Sequence, residues 1–230
     1  MLKTIKGDRI MQNLTSQFVE YCQNTFDLNE IENYNYQSLS VCIIDCVYSL
    51  RAKYFSMTVP VVERYASRYM NNDKNSSGDT LSMFIQRIDE MGGTRKFEDE
   101  VFMNHQKIGG ISKVEVCYQL ARYLKCLKID TLDDFRNFEI QELLEIVIRG
   151  VRGIGDAGVN YLFMLAGDVN RCKPDVHIHH CIKDACGVDM SNADCQTILA
   201  EAVKCLNQKY SKLTVRGLDG IIWRWYQSRS

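Results

Sequence analysis

The sequence predicts an all-α protein. Proline, which interrupts helices, occurs only twice in 230 residues, at Pro60 and Pro174. Apolar residues recur at the spacing of an amphipathic helix along most of the chain, and no stretch keeps the apolar–polar alternation of a strand for long. The chain is 46% hydrophobic and 25% charged, which is typical of a globular protein with one large domain or two small lobes.

The first half of the chain predicts helices over 13–26, 39–52, 61–70 and 81–91. The second of these, LSVCIIDCVYSLRA, is apolar on most sides, so we expect it to be buried. Pro60 fits an early position of the third helix, where its missing N–H costs nothing. Gly92 and Gly93 end the fourth helix, and 71–80 is the most loop-like segment.

The second half begins with a polar, turn-rich stretch over 104–110, followed by a predicted helix over 112–127. Thr131 with Asp134 predicts a capped entry into a short helix. A further helix is expected over 141–149, and the remainder again has a helical pattern.

Net charge and cysteine pattern restrict the possible functions. The formal net charge is −1, whereas proteins that bind nucleic acid nonspecifically usually carry a basic excess. Any DNA contact must therefore come from a local patch and from backbone groups. None of the ten cysteines forms a CxxC pair, which argues against a zinc ribbon. The first residues, MLKTIKGDRIMQNL, lack an apolar signal core, and no apolar run approaches membrane-spanning length. We therefore expect a cytoplasmic protein, whose reduced cysteines pack as small hydrophobic residues.

Two glycines, Gly153 and Gly155, separate two predicted helices. Such a G-x-G pair makes a tight turn in which the intervening apolar residue, Ile154, fills the gap between the helices. The helix after Gly155 directs free N–H groups outward and can bind a phosphate without a lysine. Alone, the pair indicates no more than a turn, but Lys173–Ile178 (KPDVHI) follows just after the second helix.

Together these two motifs resemble the helix-hairpin-helix DNA glycosylase superfamily, which includes endonuclease III and the adenine-mismatch glycosylases. Its members carry L-P-G-[VI]-G, then a helix, then V-D-T-H-[VI]; here VRGIG and KPDVHI have the same order and matching separation. The similarity is clearest over 142–180 and weaker over 39–62. It aligns the catalytic aspartate of the family with Asp175, and the following histidine with His177.

The resemblance implies a two-lobed all-α glycosylase fold. Residues 38–169 would form a six-helix bundle ending in the helix-hairpin-helix. Residues 1–37 and 170–230 would form the second helical lobe, with Asp175 at the mouth of the cleft between the lobes.

Asp175 suits the chemistry of base release. Breaking an N-glycosidic bond builds positive charge on the sugar, which an ionised carboxylate stabilises, and the same group can orient or deprotonate the attacking water. The alternative role is N-capping of the helix HIHHCIKDAC, for which aspartate is a preferred residue. Both roles can coexist.

Two departures from the family pattern restrict the activity. Members that also nick DNA carry a lysine two residues after the second glycine, and Ala157 stands there in this chain. Alanine cannot form a Schiff base, so we expect a monofunctional, water-using glycosylase without lysine-dependent lyase activity. The four closely spaced cysteines of the iron–sulfur members are missing after the last helix, so no cluster is expected, and no cofactor is required.

Residues at the hairpin are expected to contact double-stranded DNA: Gly153, Gly155, Arg152 and Ala157. The resemblance also implies a monovalent cation on the backbone oxygens of Arg149, Val151 and Ile154.

Base recognition is assigned to the weaker part of the alignment. Arg51 falls where members insert a side chain into the gap left by the flipped base, and the alternative is a solvated arginine at a helix end. Asp45 lies within a very apolar helix, and a buried carboxylate there needs hydrogen bonds. Tyr48 and Tyr54 could stack on a base, although most aromatic residues at helical spacing belong to a core.

Three histidines follow Asp175 closely. His177 is expected to be a structural, hydrogen-bonding residue, as the resemblance implies. His179 and His180 are expected to be exposed, or near DNA, because adjacent residues face different sides of a helix and no acidic ligand lies at metal-binding spacing.

The sequence therefore predicts a monomeric, nucleoid-associated DNA glycosylase that removes a damaged, alkylated or mismatched base. Two alternatives stay open: a catalytically inactive helix-hairpin-helix protein that binds DNA or acts as a scaffold, and a small-molecule enzyme using the cysteines and histidines.

Overall fold

The computed structural model describes residues 2–31 and 36–229, and these are mostly helical. The chain divides into two compact units, Met1–Asn33 with Asp168–Ser230, and Tyr34–Gly167. The predicted boundaries, 38–169 for the larger unit, lie slightly further along the chain at each end. Within the described ranges, no helix is both long enough and apolar enough to cross a membrane.

The smaller unit contains the helices of both chain ends: α1 (Leu2–Thr25), α10 (Val176–Cys186), α11 (Asn192–Leu206) and α12 (Val215–Gln227). Helix α1 packs against α10 and α11, and α12 packs against the same two helices. Buried aromatic and aliphatic side chains, such as Phe18, Leu199 and Leu218, form its core. The sequence predicted the first helix to begin at Asn13, but the helix already begins at Leu2.

The larger unit contains the middle of the chain. Its helices are α2 (Leu39–Ser49), α3 (Val59–Tyr69), α4 (Leu81–Glu90), α5 (Thr94–Phe97), α6 (Lys113–Cys126), α7 (Leu132–Arg136), α8 (Gln141–Gly150) and α9 (Asp156–Ala166). Two single-turn π-helical segments, Tyr54–Thr58 and Glu98–Phe102, precede α3 and follow α5. Six of the α-helices in this described part have ten or more residues, whereas α5 and α7 have four and five.

Helix α2 is the centre of the larger unit, and every one of its residues is buried. The prediction of a buried helix is confirmed, although it ends at Ser49 and not at Ala52. Its C-terminal end is satisfied by a lysine: Lys113 Nζ donates to the carbonyls of Tyr48 and Leu50, each at 2.8 Å. The Lys113 ammonium can stay buried because it lies at the negative end of the α2 dipole, where it donates to carbonyl groups that lack a partner within the helix.

The described residues also contain one short β-hairpin, in which β1 (Lys107–Ile108) pairs antiparallel with β2 (Ile111–Ser112). The strands are joined by Gly109 and Gly110, and both have positive φ, as a two-residue hairpin turn requires. A two-residue strand is too short to leave an alternating pattern, which is why the sequence did not predict it.

The cap predicted for the short helix α7 is confirmed. Thr131 Oγ1 accepts from the Asp134 N–H, and the Asp134 carboxylate accepts from the Thr131 N–H, so that a full capping box forms. Pro60 lies at the start of α3, as the sequence predicted, and Thr58, which ends the π-helical turn before it, makes no side-chain cap bond.

Candidate nucleic-acid interface and carboxylate site

The hairpin between α8 and α9 is built by a tight series of backbone bonds. The N–H of Val151 donates to the Ile148 carbonyl at 3.1 Å, and the N–H of Ile154 donates to the Val151 carbonyl at 3.1 Å. Helix α9 then begins at Asp156 with Gly155 as its N-cap, which supplies no side-chain bond. The N-terminal N–H groups of α9 are therefore left without a capping side chain.

The two glycines of the hairpin serve different purposes. Gly153 has a φ of 98°, and a Cβ there would lie 2.9 Å from a methyl carbon of Ile108 in the β-hairpin. Gly155 has an extended backbone, and a Cβ there would meet nothing within 4 Å. Gly153 is therefore required by packing and conformation, whereas Gly155 leaves the start of α9 open.

Exposed charges surround this turn. Arg152 is exposed and makes no ion pair with any residue that the structure describes, and a Cβ on Gly110 would lie 3.3 Å from its guanidinium. Arg149 is paired with Asp156 at 3.0 Å in the first turn of α9. Asp156 places a negative charge where an anion would otherwise be attracted by the helix dipole.

The other predicted hairpin residues are less exposed. Ala157 is half-buried, and Val151 and Ile154 are buried. The Val151 carbonyl already accepts the Ile154 N–H. A monovalent cation on the oxygens of Arg149, Val151 and Ile154 stays a prediction.

Asp175 is the N-cap of α10. Its Oδ1 accepts the N–H groups of His177 at 2.9 Å and of Ile178 at 3.5 Å, so the capping role considered from the sequence is confirmed. The residue is half-buried, and these bonds engage only one of its two carboxylate oxygens. The cap therefore holds the carboxylate in one orientation without using all of its hydrogen-bonding capacity.

The segment before Asp175 is held by a second carboxylate, Asp219 of α12. The N–H of Lys173 donates to Asp219 Oδ2 at 2.8 Å, and the N–H of Asp175 donates to the Lys173 carbonyl at 2.6 Å. Burial, with a smaller contribution from the charge of Asp175, raises the pKa of Asp219 to about 8. Two aspartates thus bind backbone groups of the same short segment: Asp175, which is half-buried, and Asp219, which is buried.

The three histidines have different surroundings. The His177 and His180 rings lie 6.4 and 6.5 Å from that of Tyr226. His179 is half-buried, with Nε2 3.0 Å from Asn192 Oδ1, and is therefore less exposed than one of the two expectations held; its nearness to DNA stays a prediction. Its position on the inner side of α10 brings it against α11. Among residues 2–31 and 36–229, no group of three or more histidine, cysteine or acidic side chains is arranged to hold a metal ion.

The residues suggested for the base pocket lie in the larger unit, around Asp45. This carboxylate is fully buried and accepts three tyrosine hydroxyls, from Tyr36 at 2.8 Å, Tyr54 at 2.7 Å and Tyr161 at 2.9 Å. The hydrogen bonds that a buried carboxylate was expected to need are therefore present. Of these residues only Tyr54 is half-exposed, so it connects the buried carboxylate with the surface.

Tyr48, in the last turn of α2, and Arg51, two residues after its end, lie in opposite environments. Tyr48 is fully buried and its ring packs edge-on against Phe102 at 5.2 Å, so as it stands it offers no face to a base. Arg51 is exposed and has a φ of 52°, a left-handed conformation that is unfavourable for any residue with a Cβ. The turn after α2 therefore projects an arginine into solvent at a conformational cost.

Sequence reasoning missed Asp219 and Lys113. Each is a charged residue beside apolar ones at helical spacing, Asp219 in VRGLDGIIW and Lys113 in ISKVEVC. A charged residue on an otherwise apolar helix face needs a buried partner, and that signal could have indicated both.

The fold and site define an all-α protein with a glycine-containing helical hairpin and a capped aspartate. Residues 16–228 match the model of a family described as a domain of unknown function (DUF8548), and the chain belongs to that family. No curated protein and no solved structure matches the chain.

Proposed function

We propose that the protein is a monofunctional DNA N-glycosylase of the helix-hairpin-helix type, which releases a damaged, alkylated or mismatched base and leaves an abasic site. The observation that carries the proposal is the arrangement of Asp175. Its carboxylate is held by the N-terminus of α10 and keeps one oxygen outside the capping bonds. It follows the hairpin in the order and at the separation found in the helix-hairpin-helix glycosylases, which the sequence resembles.

The chemistry requires a fixed negative charge beside the sugar. As the N-glycosidic bond breaks, the sugar becomes oxocarbenium-like, and a carboxylate that is already oriented stabilises it without reorganisation. The oxygen of Asp175 outside the capping bonds can also accept a proton from the attacking water or orient it. The leaving base departs with the bonding electron pair and must be protonated by solvent or by a neighbouring group.

The hairpin supplies the contact with the DNA backbone. The uncapped N-terminus of α9 offers N–H groups to a phosphate, and the exposed guanidinium of Arg152 adds a positive charge beside it. This local arrangement supports DNA binding despite the net charge of −1. We expect the affinity to fall with added salt, with a shallow slope because few phosphates are neutralised.

Ala157 supports a glycosylase that stops at the abasic site. Ala157 has no amine at the position where the strand-nicking helix-hairpin-helix glycosylases carry their lysine, so a Schiff base cannot form there. Borohydride trapping on abasic DNA should therefore yield no covalent adduct beyond the background of a denatured sample. An adduct formed as efficiently as that of a lysine-containing glycosylase would contradict this part of the proposal.

For the flipped base, the supporting residues are Asp45, Tyr54 and Arg51. Tyr54 is half-exposed and bonded to the buried Asp45 carboxylate, which gives one polar, aromatic surface that is held in place from the core. Arg51 projects from the adjacent turn and can fill the gap in the base stack, offsetting an unstacking cost of a few kcal/mol.

The test is to measure single-turnover base release on duplexes carrying different lesions, with heat or alkali used to cut abasic sites. Asp175→Asn keeps the capping oxygen but removes the charge, so base release should fall by at least about a hundredfold while the fold and duplex affinity are retained. Asp175→Ala should lose release equally, and in addition about 1 kcal/mol of stability from the lost cap.

Ser191→Ala is the matched control, since Ser191 caps α11 through the same kind of bond, to the N–H of Asp194. It should cost a similar amount of stability and leave base release intact. If the wild type binds duplex DNA but releases no base from any lesion, the chain is instead an inactive DNA-binding or scaffold protein. The negative charge of Asp156 at the hairpin and the full burial of Tyr48 are the observations that favour that alternative.

A further inference from the structure

Asp219 lies on α12, buried, and separated by more than forty residues of chain from the loop that it contacts. It is flanked by Leu218 and Gly220, and its helix belongs to the core of the smaller unit. Evolution of a stable core alone favours an apolar residue at such a position, because an unpaired buried carboxyl group is costly. Its presence calls for a specific role.

Within the described part of the chain, hydrogen bonds from three residues of α11 and α12 anchor the loop before α10. Arg216 N–H donates to the Val169 carbonyl at 3.1 Å. Gln196 of α11 binds the middle of the loop, with Oε1 accepting the Cys172 N–H at 2.9 Å and Nε2 donating to the Asn170 carbonyl at 2.8 Å. Asp219 binds its last part, at Lys173. Of these three anchors, Asp219 binds the loop nearest to Asp175.

We infer that Asp219 is a positioning residue for Asp175: by accepting the Lys173 N–H, it fixes the two peptide units that place the Asp175 carboxylate at the start of α10. The inference rests on the proposed function and deepens it. The backbone path is short, because the N–H of Asp175 itself donates to the Lys173 carbonyl and Pro174 restricts the residue between them.

The electrostatics agree with this geometry. The charged and titratable groups that act on Asp219 are Asp175, Lys173 and Arg216, and the Cys172 thiol lies near as well. Because burial and Asp175 together raise its pKa, Asp219 is mainly a neutral acid at pH 7, and it accepts the Lys173 N–H without placing a second full charge beside Asp175. Asparagine is therefore its closest neutral mimic.

The test compares Asp219→Asn, which retains an acceptor oxygen, with Asp219→Leu, which fills similar volume without one. Two measurements are made on the full chain: hydrogen exchange of the Lys173 amide in the absence of DNA, and single-turnover base release as a function of enzyme concentration. Asp219→Leu should accelerate Lys173 exchange by at least about tenfold. It should also lower the maximal release rate by at least about tenfold, with half-saturation unchanged within about threefold.

Asp219→Asn should restore both the slow exchange and the release rate to within about threefold of the wild type. Gln196→Ala is the matched control, since it removes an anchor of the same loop further from Asp175, and its release rate should stay within about threefold. If Asp219→Leu does not fold, Asp219→Ser replaces it, because the shorter side chain cannot reach the Lys173 N–H.

Lys173 exchange that is unchanged in Asp219→Leu overturns the inference. So does a release rate in Asp219→Asn or Gln196→Ala that falls as far as the rate in Asp219→Leu. The two hypotheses fail differently. A wild type that releases no base from any duplex defeats the proposed function, whereas the exchange measurement still decides whether Asp219 holds the loop.

Discussion

The side chain of Ile154 occupies the space beside Gly158 that any larger residue would need. A Cβ on Gly158 would lie 2.9 Å from the Cγ2 carbon of Ile154 and 3.4 Å from a methyl carbon of Leu50. The glycine early in α9 is thus explained by close packing of the hairpin against the end of α2. The hydrophobic residue between the two hairpin glycines is the plug that the sequence predicted, and Gly158 is the position that receives it.

Gly158→Ala should therefore destabilise the protein, although alanine favours a helix by about 1 kcal/mol over glycine. The contact is with the Cγ2 methyl of Ile154, a β-branched residue whose χ1 angle is restricted. The cost of overpacking should therefore exceed the gain in helix propensity and lower the free energy of unfolding by about 1–2 kcal/mol. Urea denaturation measures the change. Gly150→Ala, where a Cβ would meet nothing within 4 Å, should be neutral or stabilising; equal effects of the two variants would contradict the packing argument.

Asp156→Asn should increase affinity for duplex DNA. The carboxylate at the first turn of α9 repels phosphate and ties up Arg149, so its removal should tighten binding by up to about fivefold, or about 1 kcal/mol. Fluorescence anisotropy at several salt concentrations should show a steeper salt dependence, since Arg149 becomes available to a phosphate. Asp133→Asn is the control: it removes an exposed partner of Arg136, which binds the Ala166 carbonyl at the opposite end of α9. A similar gain in both variants would mean that only net charge matters.

Arg51→Gly should make the protein more stable and less active. Glycine accepts the left-handed backbone at this position, which should raise the free energy of unfolding by about 1 kcal/mol. Loss of the side chain that fills the base stack should lower base release by about tenfold or more, because unstacking is no longer offset. Lys128→Gly, at another exposed left-handed position with a φ of 62°, should stabilise similarly and leave release intact. Unaltered release in Arg51→Gly would exclude the wedge role.

Asp219 should make stability depend on pH. The pKa of Asp219 in the folded protein, about 8, lies above the ordinary value of 3.8. The contribution of Asp219 to the free energy of unfolding is therefore fully present below about pH 4 and is lost as the pH rises through 8. One proton is taken up on folding in that window, which corresponds to about 1.4 kcal/mol per pH unit. Urea denaturation between pH 4 and 9 measures the free energy of unfolding of the wild type and of Asp219→Asn. Relative to the variant, the wild type should lose stability with this slope as the pH rises towards 8. A difference that does not vary with pH would show that Asp219 is ionised in the folded protein.

Local patterns in the sequence determined much of the secondary structure. The apolar run of α2, the Thr131 cap of α7 and the glycine turn of the hairpin depend on neighbours close in the chain, and each has the expected form. The capping role of Asp175 is of the same kind, because its partners are the two N–H groups that follow within the same helix start.

Only the tertiary structure decided which distant groups meet. No local pattern relates the segments that are joined by the bond between Asp219 and Lys173 or by the three tyrosine hydroxyls on Asp45. The burial of Tyr48 likewise depends on the helices that pack around it. The physical reason is that helix periodicity fixes which face of a helix is apolar but not which helix packs against it. Buried polar groups must find partners wherever that packing brings them, and the partners can lie anywhere in the chain.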